Sequence, residues 1–143
     1  DLNKPEKVKN AAKLAIDNNL THYPPVPGLP LLREAICKKL KRDNNLDYSV
    51  NEITVSSGAK QSVFNTIMAL VNPGDEVIFI SPYWVSYPEM VSLAEGKSVI
   101  IESKTEDGFR ISGRQLEDAI TDKTKLIILC NPSNPTGAAY NKD

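Results

Sequence analysis

The chain has 143 residues, a formal net charge of −1 and 41% hydrophobic residues. That length suffices for a domain with a buried core, and the balanced charge without a basic cluster argues against nucleic acid as a partner. The longest apolar runs are far too short to span a membrane, and the first residues do not read as a signal peptide. Cys37 and Cys130 lie far apart, each in an apolar stretch. They read as buried thiols of a reducing compartment, so a cytoplasmic protein is expected. The single His22 and the scattered carboxylates offer no metal spacing. Asn19-Leu20-Thr21 has the form of a glycosylation sequon, of a kind that arises by chance. The absence of an initial Met and the stop at Asn141-Lys142-Asp143 lead us to expect that both ends are cut.

Residues 5–19 are predicted to form a helix. Pro5 suits a first turn, and Val8, Ala11, Ala12, Ala15 and Ile16 share one face. The following Thr21-His22-Tyr23-Pro24-Pro25-Val26-Pro27-Gly28 is a stiff loop, because three prolines and a glycine exclude helix and central strand. Tyr23 is its large polar aromatic, either presented outward or packed on the helix end. Residues 29–43 give a second amphipathic helix, with Leu32, Ala35, Ile36, Lys39 and Leu40 at helical spacing. Its Lys38, Lys39, Lys41 and Arg42 favour the C-terminal end of the dipole, and Asn44-Asn45 ends it.

From residue 53 onward strands and helices alternate. A short strand is expected at 53–55, followed by the small-residue turn Ser56-Ser57-Gly58-Ala59-Lys60-Gln61 and a helix over 62–71. Such a junction offers free N–H groups and the positive end of a dipole, so it can hold a phosphate. Residues 76–80 form a buried strand that delivers Ser81-Pro82-Tyr83-Trp84 at its carboxyl end. The Trp84 indole there either stacks on a flat ligand or fills core volume. A helix ends near Ala94 with Gly96 as its cap, and 98–101 is the next strand. Residues 108–111 read as an extended connection. Ser112 caps a helix over 114–120 with Leu116, Ala119 and Ile120 inward. Residues 125–130 return to a strand, ending in Asn131-Pro132-Ser133-Asn134-Pro135-Thr136-Gly137. Each proline stiffens the turn, so an Asn side-chain amide is held at a sheet edge. The alternation indicates an α/β fold with a mostly parallel sheet. Ligands of such sheets sit at the strands' carboxyl ends, where three candidates fall: the turn at Gly58, Trp84 and Asn134. A phosphate seat, a stacking ring and a fixed amide describe a site for a planar phosphorylated ring, such as pyridoxal phosphate.

The ordered set Tyr23-x-x-x-x-Gly28-x-x-x-Leu32-Arg33, Ser57-Gly58-Ala59-Lys60-Gln61, Pro73-Gly74-Asp75-Glu76, Pro82-Tyr83-Trp84-x-x-Tyr87 and Asn131-Pro132-x-Asn134-Pro135-Thr136-Gly137 resembles the fold-type I, class I aminotransferases. The bacterial aspartate aminotransferase branch is the most similar, and the resemblance covers essentially the whole chain. It implies a partial three-layer α/β/α sandwich within the large pyridoxal 5'-phosphate-binding domain, spanning 29–143. Residues 1–28 would form an N-terminal helix and proline-rich loop. It also implies that backbone N–H groups around Gly58, Ala59 and Lys60 hold the cofactor phosphate. Trp84 would stack on the pyridine ring. Asn134 would bond the ring's 3′ oxygen and lie by the substrate carboxylate. Tyr23 would reach the phosphate of the neighbouring subunit of a homodimer.

The family's Schiff-base lysine is not expected in this chain. The Ser103-Lys104 segment followed by Gly108-Phe109-Arg110-Ile111-Ser112-Gly113 has the wrong spacing and comes before the Asn-Pro loop. Lys104 therefore reads as a surface lysine. Lys60 is placed by its backbone at the phosphate end. The anchoring lysine, the aspartate for the pyridine nitrogen and the substrate arginine are expected downstream of Asp143. The resemblance thus implies part of an enzyme moving an amino group between L-aspartate and 2-oxoglutarate, inactive by itself, with exposed edges that favour self-association. Aromatic, alanine or aspartate/prephenate transamination is the alternative within the class. A non-catalytic cofactor-binding or interaction domain is the alternative outside it.

Overall fold

The structure, a computed structural model, describes residues 3–141. The described chain divides into two compact units between Ser56 and Ser57, so the sequence-based division at residue 28 falls inside the first unit.

The first unit holds two helices, α1 (Glu6–Asp17) and α2 (Pro30–Asn44). Pro5 sits at the N-cap of α1. At the other end Asn19 adopts φ 57°, with Asn19 N–H to Ile16 O and Leu20 N–H to Ala15 O. Those two bonds satisfy carbonyls that the last turn leaves open. Asn45, also left-handed, ends α2. Neither helix buries a residue: the stripe predicted for α1 is present, but Val8 and Ile16 remain exposed among the described residues. The strand expected at 53–55 does not form. A 3-10 turn (Val50–Glu52) precedes it, and the extended segment finds no partner strand. Its backbone is bonded otherwise: Val55 N–H donates to Pro27 O at 2.9 Å. The Arg33 guanidinium donates to Ile53 O at 2.9 Å and to Val50 O, tying α2 to this stretch. Gly28 packs against Val55, where any Cβ would come within 2.7 Å of that side chain, and its φ is +101°.

The second unit is α/β. Its elements are α3 (Ala59–Leu70), β1 (Glu76–Ser81), α4 (Ser86–Leu93), β2 (Lys97–Glu102), α5 (Gly113–Ala119) and β3 (Thr124–Ile128). The three strands form one parallel sheet in the order β2-β1-β3. The central strand β1 is covered on both faces, which suits its unbroken apolar run Val77-Ile78-Phe79. Val77 and Phe79 point into one cluster with Ile67 and Val71 from the α3 end, and Tyr87, Met90 and Val91 from α4. Ile78, on the opposite side of the pleat, is also fully buried. Each such aliphatic or aromatic side chain contributes about 1.5–3 kcal/mol by leaving water. The flanking strands are less covered, with Ile100 and Ile127 each nearly half exposed.

Four local details differ from the sequence reading. The left-handed residue after α4 is Glu95 (φ 56°), not Gly96. Gly96 follows it, its N–H bonded to Val91 O. It is small because a Cβ there would lie 2.6 Å from Val71 Cγ1 and 3.1 Å from Val91 Cγ1. Residues 108–111 are not extended. Gly108 and Phe109 both have positive φ, and Phe109 N–H closes a turn on Lys104 O at 2.9 Å. Ser112 does cap α5, in a reciprocal box with Gln115. Leu116 and Ala119 are half-buried there, but Ile120 is exposed. Cys37 and Cys130 are unpaired and half-buried rather than buried.

Candidate functional site

The chain passes from β1 to β2 on one side, then crosses to β3 on the other, so the direction reverses between β1 and β3. At such a switch point the loops leaving adjacent strands part and open a crevice. Here that crevice is lined by Phe79, Tyr83 and Tyr87 from β1 and the segment after it, and by Cys130, Ser133 and Asn134 from beyond β3.

The loop after β3 is closed on itself. Ser133 N–H donates to Ala138 O at 2.7 Å, Gly137 N–H to Ser133 O at 2.8 Å, and Ala138 N–H to Thr136 Oγ1 at 3.2 Å. Gly137, at φ 75°, makes that tight closure possible. The two asparagines that precede its prolines have different surroundings. Asn131 Oδ1 accepts the Tyr140 N–H at 3.0 Å. Asn134 lines the crevice, and its amide has no hydrogen-bond partner among the described residues. Both Asn-Pro bonds and Ser81-Pro82 are cis.

The turn before α3 forms the second part. Gly58 is the N-cap, with φ 89° and ψ 164°, a combination confined essentially to glycine. A Cβ on it would meet nothing within 4 Å, so the space above the helix end is open. Gln61 Oε1 accepts the Ser57 N–H at 2.5 Å and fixes the entry to the helix. The N–H groups of Ala59 and Lys60 point from the first turn with no backbone acceptor among the described residues. Two free donors at the positive end of a helix of 12 residues suit an anionic phosphate. The helix end opens on a groove of about 590 Å³ between α3 and α4, lined by Ser57, Lys60, Phe64, Val85 and Leu93. That volume is within the range of pockets for cofactor-sized molecules.

Trp84 joins the two parts. It is half-buried, its ring edge-on to Tyr87 at 5.6 Å, and Tyr87 lines the crevice. The Lys60 ammonium lies 4.9 Å from the Trp84 ring centroid, a cation–π contact. The lysine side chain thus turns from its own backbone at the helix end and rests on the indole. Burial, together with the neighbouring Cys130, pushes the Tyr87 phenol above its ordinary value, so this ring stays neutral.

The structure therefore brings Gly58, Ala59, Lys60 and Trp84 into one neighbourhood and sets Asn134 in the adjoining crevice. Tyr23 belongs to the first unit, where it is fully exposed on the proline loop. Lys104 is exposed in the turn after the edge strand β2 and does not line the crevice. Sequence reasoning missed Phe109 and Tyr140, which also line it. Phe109 gives no warning, because its left-handed φ is set by the turn; Tyr140, an aromatic three residues past Gly137, was the available signal. No helix among the described residues is long and apolar enough to cross a membrane, and no cluster among them could hold a metal ion.

Comparison with known proteins adds three findings. The family model that matches, over residues 1–143, is that of aminotransferase class I and II. A probable aspartate/prephenate aminotransferase of Rickettsia bellii is 52% identical over 99% of this chain, and an aspartate/prephenate aminotransferase of Cereibacter sphaeroides is 50% identical over 99%. The chain spans about a third of these curated relatives, 35% and 36% of their lengths. Among solved structures, the aspartate aminotransferase of Thermus thermophilus with maleate is 46% identical with a TM-score of 0.96, covering 99% of this chain and 37% of that one. An aromatic aminotransferase of Pyrococcus horikoshii is 42% identical with a TM-score of 0.93, covering 97% and 37%.

Proposed function

The chain belongs to the aminotransferase class I and II family, and from that premise we propose that the protein moves an amino group between L-aspartate and 2-oxoglutarate with pyridoxal 5'-phosphate as cofactor. The observation that carries this reading is the α3 end: a glycine-only N-cap, two open N–H groups, and a lysine ammonium 4.9 Å from the Trp84 ring. When bound, the cofactor supplies an electron sink for the substrate's α-carbon. The Ala59 and Lys60 N–H groups would hold its phosphate, and Trp84 would cover a ring face and exclude water. The open amide of Asn134 would hydrogen-bond the ring's 3′ oxygen beside the substrate carboxylate. The Lys60 ammonium puts a positive charge on the Trp84 wall, which suits a substrate with a second carboxylate. The Thermus structure with maleate, itself a dicarboxylate, supports the same preference.

Neither Lys60 nor Lys104 is assigned the cofactor-anchoring role. Lys104 is exposed past the edge strand, and Lys60 rests on Trp84. In this reading the 143 residues by themselves do not turn over substrate. Tyr23, fully exposed on a loop stiffened by three prolines, is assigned to the phosphate of a partner subunit in a homodimer. Unpaired thiols favour the cytoplasm.

The test uses protein expressed from its complete gene. Titration with pyridoxal 5'-phosphate should produce a visible absorbance band, and aspartate with 2-oxoglutarate should give glutamate. Absence of cofactor uptake would refute the reading. The names of the relatives favour prephenate as a second amino acceptor. Prephenate is also a dicarboxylate, and glutamate formation outpaced by prephenate amination would shift the assignment to it.

A further inference from the structure

We propose that Asn131 and Tyr140 are positioning residues, forming a two-bond strap that sets the place of Asn134 in the crevice. The proposal rests on the function argued above. The turn at 133–138 is closed by its own backbone bonds, but those bonds do not fix it relative to the sheet. Two further bonds extend that closure, one across the base of the loop and one to the segment before α5. Asn131 Oδ1 accepts the Tyr140 N–H at 3.0 Å, which closes the base of the loop across nine residues. Tyr140 Oη then accepts the Ile111 N–H at 2.9 Å. That second bond fastens the loop to the segment before α5, where the left-handed Phe109 forms another part of the crevice lining. Asn134 and Tyr140 line the same crevice. The loop that carries the unpartnered amide is therefore closed at its base by Asn131 and fastened to the segment before α5 by Tyr140, through atoms that need not touch a ligand.

The chemistry of the strap is specific. Asn131 acts through its oxygen alone, as an acceptor, so an aspartate can replace it. Tyr140 acts through its hydroxyl, while its ring is part of the wall, so Phe removes the bond and keeps the wall. The variants are Asn131→Asp, Asn131→Leu and Tyr140→Phe in protein from the complete gene. Amide hydrogen exchange is read at Tyr140 and Ile111, and affinity for pyridoxal 5'-phosphate is read by its visible absorbance. Asn131→Leu should speed exchange at Tyr140, and Tyr140→Phe at Ile111. Each should weaken cofactor affinity roughly fivefold to tenfold, the worth of one net hydrogen bond. Asn131→Asp should retain both protection and affinity. Faster exchange with unchanged affinity and absorbance in both Leu and Phe variants would make the strap purely structural and overturn the proposal. Equal loss in Asn131→Asp and Asn131→Leu would overturn the acceptor role. If wild-type protein binds no pyridoxal 5'-phosphate, the function reading fails and the inference falls with it; if wild type binds and the variants bind equally, only the strap fails.

Discussion

Gly58→Ala isolates backbone strain from steric clash at the proposed phosphate seat. Gly58 has φ 89° and ψ 164°, and an added Cβ would touch nothing within 4 Å. The whole cost is then conformational, about 1–3 kcal/mol for a non-glycine residue held in that region. Gly113 is the control. A Cβ there also meets nothing within 4 Å, but its φ is not in the left-handed range. Gly113→Ala should be neutral or stabilise by about 0.4–1 kcal/mol through the unfolded chain. Trp84, the one tryptophan of these 143 residues, reports their unfolding in urea by its fluorescence. With a slope of about 1–3 kcal/mol/M, Gly58→Ala should lower the midpoint by roughly 0.5–2 M. If the backbone relaxes instead, the Ala59 N–H turns away from the seat, and affinity for pyridoxal 5'-phosphate should fall roughly tenfold. A Gly58→Ala protein matching Gly113→Ala in both midpoint and cofactor affinity would refute the argument that backbone geometry shapes this helix end.

Further predictions concern sterics, pH and charge. Gly96→Ala should destabilise by about 1–3 kcal/mol, because the new methyl overlaps Val71 in a closed core; Val71→Ala in the same chain should recover part of that loss in a double-mutant cycle. Glu76, nearly buried, accepts the Thr121 hydroxyl at 2.7 Å and Lys97 Nζ at 3.0 Å, and these bonds hold its carboxyl below the usual carboxylate range. Its folded value is the lower one, so its contribution to stability is present above the unfolded carboxylate range and disappears as pH falls through the folded value. Urea midpoints at stepped acidic pH should therefore drop less steeply for Glu76→Gln than for wild type. Lys60→Met keeps the alkyl chain over Trp84 but removes the charge. It should raise KM for aspartate roughly tenfold or more, the scale of a charged hydrogen bond, while changing KM for a monocarboxylic amino acid little; equal changes for both would remove Lys60 from substrate choice.

Local signals in the sequence were sufficient where the chain's neighbours along the backbone decide the structure. Ser112 with Gln115 three residues on forms the box that starts α5, and Asn45 stops α2, because capping involves only the adjacent turn. The run Val77-Ile78-Phe79, set between turns, reads as a buried strand, and it is one. The small-residue turn at Gly58 led to a helix end suited to an anion. The stretch at 53–55 has the same β-branched composition as a strand, yet its bonding depends on Pro27 and Arg33, which lie elsewhere in the chain. Gly96 was read as a cap, while its smallness is imposed by Val71 and Val91 across the fold. The difference between Asn131 and Asn134 is of the same kind. Both precede proline, and only the return of the chain at Tyr140 occupies one amide and leaves the other facing the crevice.

The sequence by itself determined the α/β class, the order of the helices and of the three sheet strands, and the residue types at the start of α3 and after β1 and β3, because these follow from periodicity, capping and motif. Tertiary structure alone decided the sheet order β2-β1-β3 and with it the crevice between β1 and β3. It also decided the resting of Lys60 on Trp84 and the clamping of the Asn-Pro loop by Tyr140. Those features join residues far apart along the chain, whose pairing is set by packing over the whole sheet rather than by any local preference.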